Sequence, residues 1–376
     1  MNLMKSTVGR FDKMYDEPQF PFASLTKVAA DVDLLGATSS TGEQYIANNG
    51  IGSAFGHDII QASTRVNYAQ NLRYINGLLA MVCMATDGAE AVEDGNYQIF
   101  DHMLKAAKAN VRLNTEVSHI TKSHDGKYML EHGSSTKLAH HGPPALAHHG
   151  NMAYDVVVIA APYQFSNLTL DRHIKHVPAE IAYVQLHVTL LISPHLLSPA
   201  YFNMVPGKAA PKVILTTLQP NEEPLEGVAG VGSPGFFSIS LLSPITNPST
   251  HGVEYLYKIF SPSPLNSTFL AGILGLQGSY DAESAIGEKD ISWIYRKVWN
   301  SYPYEVPRTT FEEIELDEGL YYTSAMDGFI STMETNALSG KNVARLLVDR
   351  WRGRMGDGSG KAGMSVPTLL QTDNTL

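Results

Sequence analysis

The stretch DVVVIAAP, residues 155–162, places four consecutive β-branched residues before two alanines and a proline. Such a run without polar alternation predicts a strand that is covered on both faces, as in a parallel α/β sheet. The stretch LDEGLYYTS, residues 316–324, predicts a second short strand, and a long helix is predicted over 333–351. We therefore predict that Val156–Ile159 and Leu320–Tyr322 are parallel neighbours in one sheet.

The chain before this stretch changes from a helical to a mixed pattern. Residues 1–90 are predicted to be helical, because apolar residues recur there at helical spacing. An amphipathic helix is predicted over 98–109, followed by two short strands in VRLNTEVSHITKS (111–123) and one in KYMLEHG (127–133). These segments are typical of an α/β region.

From 163 to about 308 the pattern changes to alternating strands and proline-rich loops. The strand candidates are AYVQLHVTLLI, KVILTTL, FFSISLL and VEYLYKIF, and helices are predicted near 265–275 and 287–299. The sequence thus predicts a mixed α/β (α+β) protein. The predicted segments are 1–90 (helical part of a second domain), 91–162 (first α/β segment), 163–315 (β-rich insertion), 316–352 (second α/β segment) and 353–376 (a disordered Gly- and Ser-rich tail).

Composition excludes several functional classes. The formal net charge is −10, which argues against a nucleic-acid partner, because such binding needs clustered Lys and Arg. No apolar run approaches the roughly 18 residues of a membrane-spanning helix, so no transmembrane segment is predicted. The first residues contain no apolar core of a signal peptide. Cys83 is the only cysteine and is predicted to be a buried small hydrophobic residue.

The pattern G-x-G-x-x-G, which holds phosphate where it follows a strand and opens a helix, occurs twice. The first match, Gly230 to Gly235, precedes the predicted strand FFSISLL. The second, Gly358 to Gly363, lies in the predicted tail. Neither match has the required context, so neither is predicted to bind a dinucleotide.

Four histidines near the middle of the chain resemble a metal-binding cluster. His140, His141, His148 and His149 lie in a loop that contains Gly and Pro but no Cys or carboxylate at ligand spacing. We predict a solvated hairpin tip there and no metal site.

Six pieces of the sequence carry a family resemblance. They are RVNYAQNLRYINGLLA (65–80), AVEDGNYQIFDHML (91–104), VSHI (117–120), YDVVVIAAPYQFSNLTL (154–170), VWNSYPYEVP (298–307) and GLYYTSAMDGFISTMETNALSGKNVARLLVDRW (319–351). In this order and spacing the series resembles the prenylcysteine oxidase (prenylcysteine lyase) family. The resemblance extends from about residue 5 to Arg352.

The resemblance implies an FAD-dependent oxidoreductase with an amine-oxidase-like layout. It implies an incomplete Rossmann-type FAD domain with an inserted β-rich substrate domain. The implied reaction cleaves the thioether of farnesyl- or geranylgeranyl-cysteine: hydride passes from C1 of the prenyl group to the flavin, and water attacks the oxidised carbon. Cysteine, a prenyl aldehyde and hydrogen peroxide result, with molecular oxygen as electron acceptor.

The resemblance also implies cofactor-binding residues. They are Glu93, Asp94, Gly95 and Asn96 near the isoalloxazine, Val117 at the adenine, Ala160, Ala161 and Pro162 along the adenosine, and Ser331, Thr332, Met333 and Glu334 at the N-terminus of the last helix. There the positive helix end would stabilise negative charge at the flavin N1–C2=O. No catalytic acid–base pair emerges from the sequence.

The start of the chain departs from the family pattern. The family's G-x-G-x-x-G loop and acidic ribose-binding residue come from a first βαβ unit, and nothing before residue 65 resembles either. We therefore expect that the chain as it stands does not hold FAD tightly. A fragment, a mispredicted gene model and a divergent paralogue without flavin all fit this pattern.

Two alternative functions fit the sequence beside the oxidase. One is a non-catalytic binder of apolar prenyl-like ligands, and the other is an FAD oxidase of another small apolar substrate. The resemblance suggests the lysosome, the vacuole or the secretory pathway. The triplets at Asn167 and Asn266 are glycosylation acceptors if the protein enters that pathway.

Overall fold

The computed structural model describes residues 2–85, 90–134, 147–283 and 285–356. Helices dominate the first third of the chain. They are α1 Asn2–Phe11, α2 Leu25–Asp31, α3 Leu35–Thr38, α4 Gly42–Asn48, α5 Ser53–Phe55, α6 Gln61–Tyr68, α7 Gly77–Val82 and α8 Tyr97–Ala106. Side-chain caps fix several of the starts: Thr41 and Gln44 form a capping box on α4, and the Asn76 side chain accepts from the Leu79 N–H on α7.

The rest of the described chain forms three sheets and two further helices. The strands are β1 Thr115–Lys122, β2 Tyr128–Ser134, β3 Ala147–Tyr154, β4 Val157–Ile159, β5 Thr169–Leu170, β6 Tyr183–Ser193, β7 Val213–Leu215, β8 Ser238–Thr246, β9 Val253–Ser261, β10 Trp293–Pro303, β11 Glu315–Asp317 and β12 Leu320–Tyr322. The helices are α9 Ser267–Leu274 and α10 Met333–Gly356. The sheet orders are β3-β2-β1-β5, β10-β6-β9-β8-β7 and β11-β12-β4. The predicted mixed α/β class is confirmed.

The predicted parallel pair is present. In register, β12 pairs with β4 in parallel, Leu320 opposite Val157 and Tyr322 opposite Ile159. The 160 or so residues between these strands include the whole five-stranded antiparallel sheet, as expected for an insertion. The boundaries of the two predicted domains stay a prediction.

Four local predictions are wrong. The helix predicted near 287–299 is the strand β10, because its Trp, Ile, Tyr and Val residues favour strands and pair with β6 along its length. Val111 and Leu113 form no strand; they precede β1 in an exposed loop. The last helix, predicted over 333–351, continues to Gly356.

The fourth wrong prediction is that the strand in 155–162, which is β4, is covered on both faces. Ile159 is buried, but Val158 on the opposite face is 40% exposed, so one face of β4 is not covered in the described part of the chain. The predicted tip of the β2–β3 hairpin, with His140 and His141, lies outside the described residues, as do the side chains of His148 and His149. Residues 357–376, with the second G-x-G-x-x-G match, lie outside them too.

The main apolar core joins the N-terminal helices to the three-stranded sheet and to α10. One buried amide fixes this arrangement: Asn342 on α10 accepts from the Phe22 N–H and donates to the Phe22 carbonyl, both at 2.8 Å. The two bonds satisfy a backbone segment that no helix or strand pairs. They hold α10 against the segment that precedes α2.

A second core lies under the five-stranded sheet, where α9 packs on its inner face. Arg65 on α6 joins the two regions although it is fully buried. Its guanidinium donates to Thr216 Oγ1, Asn71 Oδ1 and the carbonyls of Gly230 and Val231, and it lies 5.2 Å from the Phe237 ring centroid. The Gly230 carbonyl thus accepts a hydrogen bond from buried Arg65. This agrees with the prediction that the first G-x-G-x-x-G match binds no dinucleotide.

A first prediction concerns Gly77, at the start of α7. A Cβ atom there would lie 2.5 Å from Tyr45 Cβ and 2.9 Å from the Ala37 carbonyl oxygen. We expect Gly77→Ala to lower the free energy of unfolding by about 1–3 kcal/mol, because the neighbours must move. Urea unfolding followed by circular dichroism measures the change.

Gly36→Ala in α3 is the matched control. Nothing lies within 4 Å of the added Cβ, so the substitution should leave stability unchanged or raise it by up to about 1 kcal/mol. Equal stability of the Gly77→Ala and Gly36→Ala variants would contradict the tight packing of α7.

Candidate functional site

A cavity of about 640 Å³ lies between the N-terminal helices and the start of α10. Its wall is mostly apolar, and hydroxyl and carboxyl groups lie near α10. The lining residues are Val8, Phe11, Asp12, Tyr15, Asn67, Tyr68, Val82, Cys83, Ala85, Tyr302, Ile330, Ser331, Thr332, Glu334 and Thr335. A cavity of this size and composition is typical of a small-molecule or cofactor site.

Two tyrosines from distant parts of the chain form one wall of the cavity. The rings of Tyr68 and Tyr302 meet edge to face, with centroids 5.5 Å apart. The Tyr68 hydroxyl donates to the Ser331 carbonyl at 3.1 Å, which ties α6 to the start of α10. These contacts keep the aromatic wall and the helix start in a fixed relation.

Side-chain amides hold the segment around Tyr302 in place. The Gln70 amide donates to the Pro303 carbonyl and accepts from the Glu305 N–H, each at 3.0 Å. The Asn76 amide donates to the Glu305 carbonyl. Two of the sequence pieces that carry the family resemblance, 65–80 and 298–307, are therefore in direct contact.

The N-terminus of α10 opens on the cavity. Thr332 and Thr335 cap it reciprocally: the Thr335 N–H donates to Thr332 Oγ1, and the Thr332 N–H donates to Thr335 Oγ1, each at 3.1 Å. A helix N-terminus carries partial positive charge and stabilises an anion or a developing negative charge. The positive end of the α10 dipole and the Glu334 carboxyl group thus lie at the same end of the apolar cavity.

The buried tyrosines and the cysteine of the wall are held in their neutral forms. Burial raises the pKa values of Tyr68 and Cys83 well above their usual range, and burial raises the pKa of Tyr302 to about 12. Tyr15 donates from its hydroxyl to Glu334 Oε1 at 2.8 Å at the edge of the cavity. Cys83 is fully buried, so the predicted small hydrophobic role fits and no thiolate nucleophile forms there.

Two buried carboxyl groups lie behind this wall. Glu305 has no exposed surface, and neither of its carboxyl oxygens has a hydrogen-bond partner. Burial is the main cause that raises its pKa well above the usual value, and the nearby Asp327 adds to it. Burial also raises the pKa of Asp327, whose Oδ2 accepts from the Tyr183 hydroxyl at 3.2 Å.

Some of the predicted cofactor residues come together here. Ser331, Thr332 and Glu334 line the cavity, whereas the Met333 side chain is exposed and does not. Residues 160–162 follow β4 at its carboxyl end. Because β4 and β12 are parallel, this end lies on the same edge of the sheet from which the chain continues to α10.

The other predicted residues do not line the cavity. Val117 is half-buried in β1, next to a bulge. Residues 93–96 form a turn before α8 in which Asp94 and Gly95 have φ values of 63° and 121°. The Asn96 side chain accepts from the Val92 N–H and closes this turn. The positive φ at Asp94 shows that the turn keeps a glycine-like backbone at this residue.

The aromatic wall formed by Tyr68 and Tyr302 was not predicted from the sequence. Tyr68 and Tyr302 lie inside pieces that carried the family resemblance, yet no role was predicted for them. Their pairing depends on hydrogen bonds from the Gln70 side chain to a segment more than 200 residues away, which periodicity does not report. The one sequence signal for the wall was a tyrosine in each of two segments that carry the family resemblance, 65–80 and 298–307.

Two apolar surfaces stay open to solvent in the described part of the chain. On α8 no residue is buried. Its exposed apolar residues are Tyr97, Ile99, Phe100, Met103 and Leu104, and Leu113 beyond it is 79% exposed. The second surface is the free edge of β4 with Val158. A contiguous patch of exposed apolar groups is typical of an interaction surface.

The described residues provide neither a metal centre nor a membrane-spanning helix. No cluster of three or more His, Cys, Asp or Glu side chains is placed to hold a metal ion there. Within the same residues, no helix combines the length and the apolar character needed to span a bilayer.

Comparison with known proteins supports the family resemblance. A family model described as prenylcysteine lyase matches residues 1–357. The chain is 27% identical over 346 residues to Prenylcysteine oxidase 1 of Homo sapiens. This match covers 90% of this chain and 63% of that protein. It is 26% identical over 355 residues to Farnesylcysteine lyase of Arabidopsis thaliana, covering 93% and 61%. The chain thus spans less than two thirds of the length of these relatives.

Among solved structures, the chain is similar to a putrescine oxidase triple mutant with redesigned cofactor binding. The TM-score is 0.49 at 11% identity, over 93% of this chain and 76% of that one. The fold assignment therefore depends on the sheets and helices of the chain itself.

Proposed function

The chain belongs to the prenylcysteine lyase family, and from this we propose that it forms the flavin-ring and substrate side of an FAD-dependent oxidase that cleaves the thioether of a prenylcysteine. The observation that carries the proposal is the apolar cavity at the N-terminus of α10. Two of the chain's relatives carry the names Prenylcysteine oxidase 1 and Farnesylcysteine lyase.

The cavity wall fits the two groups that this reaction brings together. Val8, Phe11 and Val82 offer apolar surface to a prenyl chain or to the flat faces of an isoalloxazine. The start of α10, capped by Thr332 and Thr335, offers positive charge to the flavin edge where negative charge develops. Bound FAD would supply hydride acceptance from the prenyl C1 and electron transfer to oxygen.

The residues of the chain would serve by positioning and by excluding water. Tyr68 and Tyr302 stay protonated and hold the aromatic wall in place. With no ionised acid or base in the buried part of the wall, the reacting carbon would be oriented by shape and desolvation. That agrees with a reaction whose difficult step belongs to the cofactor.

The pyrophosphate of FAD needs a further element. In the described residues no glycine-rich turn joins a strand to a helix; the Gly230–Gly235 turn leads into β8. We propose that a βαβ dinucleotide-binding unit completes the site and covers the free edge of β4 and the apolar face of α8. A strand added to β4 would satisfy its unpaired backbone groups. The secretory location and glycosylation at Asn167 and Asn266 stay predictions.

The test is turnover by the completed protein. The chain fused to the N-terminal unit of Prenylcysteine oxidase 1 should bind FAD and release hydrogen peroxide when S-farnesyl-L-cysteine is added. Val82→Phe, which fills the cavity, should reduce turnover at least tenfold. Val177→Phe is the matched control, because Val177 is exposed and lies outside the cavity.

Each result separates the candidate functions. Flavin binding without peroxide from S-farnesyl-L-cysteine would contradict the prenylcysteine substrate and favour another apolar substrate. Binding of S-farnesyl-L-cysteine without flavin would favour the non-catalytic binder. Equal turnover of both valine variants would contradict the location of the site.

A further inference from the structure

A second cavity, of about 540 Å³, lies on the five-stranded sheet and shares no lining residue with the first. Its floor is a row of directly paired residues across three strands, with Trp293 opposite Ile192 and Ile192 opposite Leu256. The adjoining row pairs Ile245 with Glu254. The cavity therefore combines an apolar floor, an indole wall and one carboxylate.

Glu254 is unusual for a residue in this position. Its side chain lies on a strand of the sheet, and the residue is only 7% exposed. Oε1 accepts from the Asn247 amide at 2.9 Å, and Oε2 accepts from the Ser292 hydroxyl at 2.6 Å. In the described chain no Lys, Arg or His forms an ion pair with it. A carboxylate offers about four lone-pair sites, so two neutral donors leave it short of partners.

The surroundings of Glu254 favour a cationic hydrogen-bond donor. A desolvated carboxylate gains most from a charged donor, because charge-assisted hydrogen bonds are about twice as strong as neutral ones. Trp293 stacks on Tyr295 with ring planes 6° apart, which presents a fixed indole at the cavity wall. An indole face also attracts a cation. The rest of the floor accepts only an apolar chain.

We propose that this cavity binds a small amphiphile with a primary ammonium head and an apolar tail. The ammonium donates to the free lone pairs of Glu254, beside Asn247 and Ser292. The tail lies over Ile192 and Leu256 and against Trp293. The proposal is independent of the prenylcysteine reaction, because it depends on residues of the β-rich sheet alone.

Titration calorimetry with n-octylammonium and 1-octanol at neutral pH tests the proposal, because the two probes share one tail and differ in the head. The chain should bind octylammonium at least about tenfold more tightly than octanol. Glu254→Gln should reduce that preference to near unity and leave octanol binding unchanged. Glu223→Gln, which removes an exposed carboxylate, is the control and should keep the tenfold preference.

A second variant protects the test against misfolding of Glu254→Gln, which a thermal melt would reveal. Trp293 is half exposed and lies on an edge strand, so its replacement is expected to leave the fold intact. The Trp293→Ala variant should weaken octylammonium binding about fivefold. Equal affinity for the two probes, no saturable binding of octylammonium, or a preference that survives in folded Glu254→Gln would each overturn the proposal. With Glu254→Gln unfolded, unchanged binding by Trp293→Ala would overturn it as well.

Discussion

Replacing Arg65 by methionine is expected to lower the free energy of unfolding by about 3 kcal/mol, one of the largest effects of any single substitution in this chain. The guanidinium is fully buried and donates to Thr216, Asn71 and the carbonyls of Gly230 and Val231. Methionine keeps the length of the side chain and removes every donor. The acceptors then stay buried with fewer partners, which costs about 1–3 kcal/mol for each group left unsatisfied.

The loss is smaller than the sum of these bonds because removal of the buried charge also removes a desolvation cost. That cost is visible in the pKa of Arg65, which burial lowers to about 10. The measurement is urea unfolding of the purified chain. Arg73→Met is the matched control: Arg73 lies eight residues further along and forms only an exposed ion pair with Glu223, so about 0.5 kcal/mol or less is expected. Similar values for the two variants would contradict the role of Arg65 as the link between helices and β-rich sheet.

Glu305→Gln is expected to become more stable than the wild type as the pH rises. Burial raises the pKa of Glu305 well above the unfolded value of 4.5, so the folded chain keeps this group protonated when the unfolded chain has released the proton. Protonated Glu305 makes its full contribution to the free energy of unfolding below pH 4.5. That contribution is lost as the pH rises towards the folded pKa. Glutamine is neutral at every pH and does not suffer this loss.

The relative stability of the variant should therefore increase by up to about 1.4 kcal/mol for each pH unit between the unfolded pKa of 4.5 and the higher folded pKa of Glu305. Urea unfolding of both proteins at each pH measures the difference. Glu180→Gln, at an exposed position, should follow the wild type throughout. A difference that stays constant with pH would show that Glu305 ionises in the folded chain as easily as in the unfolded one.

The sequence predicted those features that local pattern determines. The β-branched run 155–162 and the stretch 316–324 led to the parallel pair of β4 and β12, because continuous apolar strands belong to parallel sheets. The six ordered pieces led to the family. The segment that became β10 was predicted wrongly, since its mixture of aromatic and basic residues fits the pattern of an amphipathic helix until its pairing with β6 is known.

The rest depends on contacts between distant segments. Arg65 gives no sequence signal of burial, because arginine is normally a surface residue and its acceptors come from residues 216 and 230–231. The aromatic wall of the cavity likewise forms only when Gln70 and Asn76 bind the segment 303–305. Of the residues that the resemblance implied for the cofactor, Ser331, Thr332 and Glu334 line the cavity, and their role in binding it stays a prediction.

The visible absorbance of the purified protein shows whether the chain by itself holds FAD. We propose that this chain supplies the flavin-ring wall, at the cavity before α10, and that a βαβ unit supplies the pyrophosphate site. The chain as it stands should show no flavin bands after purification with added FAD. The same chain fused to a dinucleotide-binding unit should show FAD at one equivalent. Stoichiometric flavin in the unfused chain, or none in a folded fusion, would contradict the account.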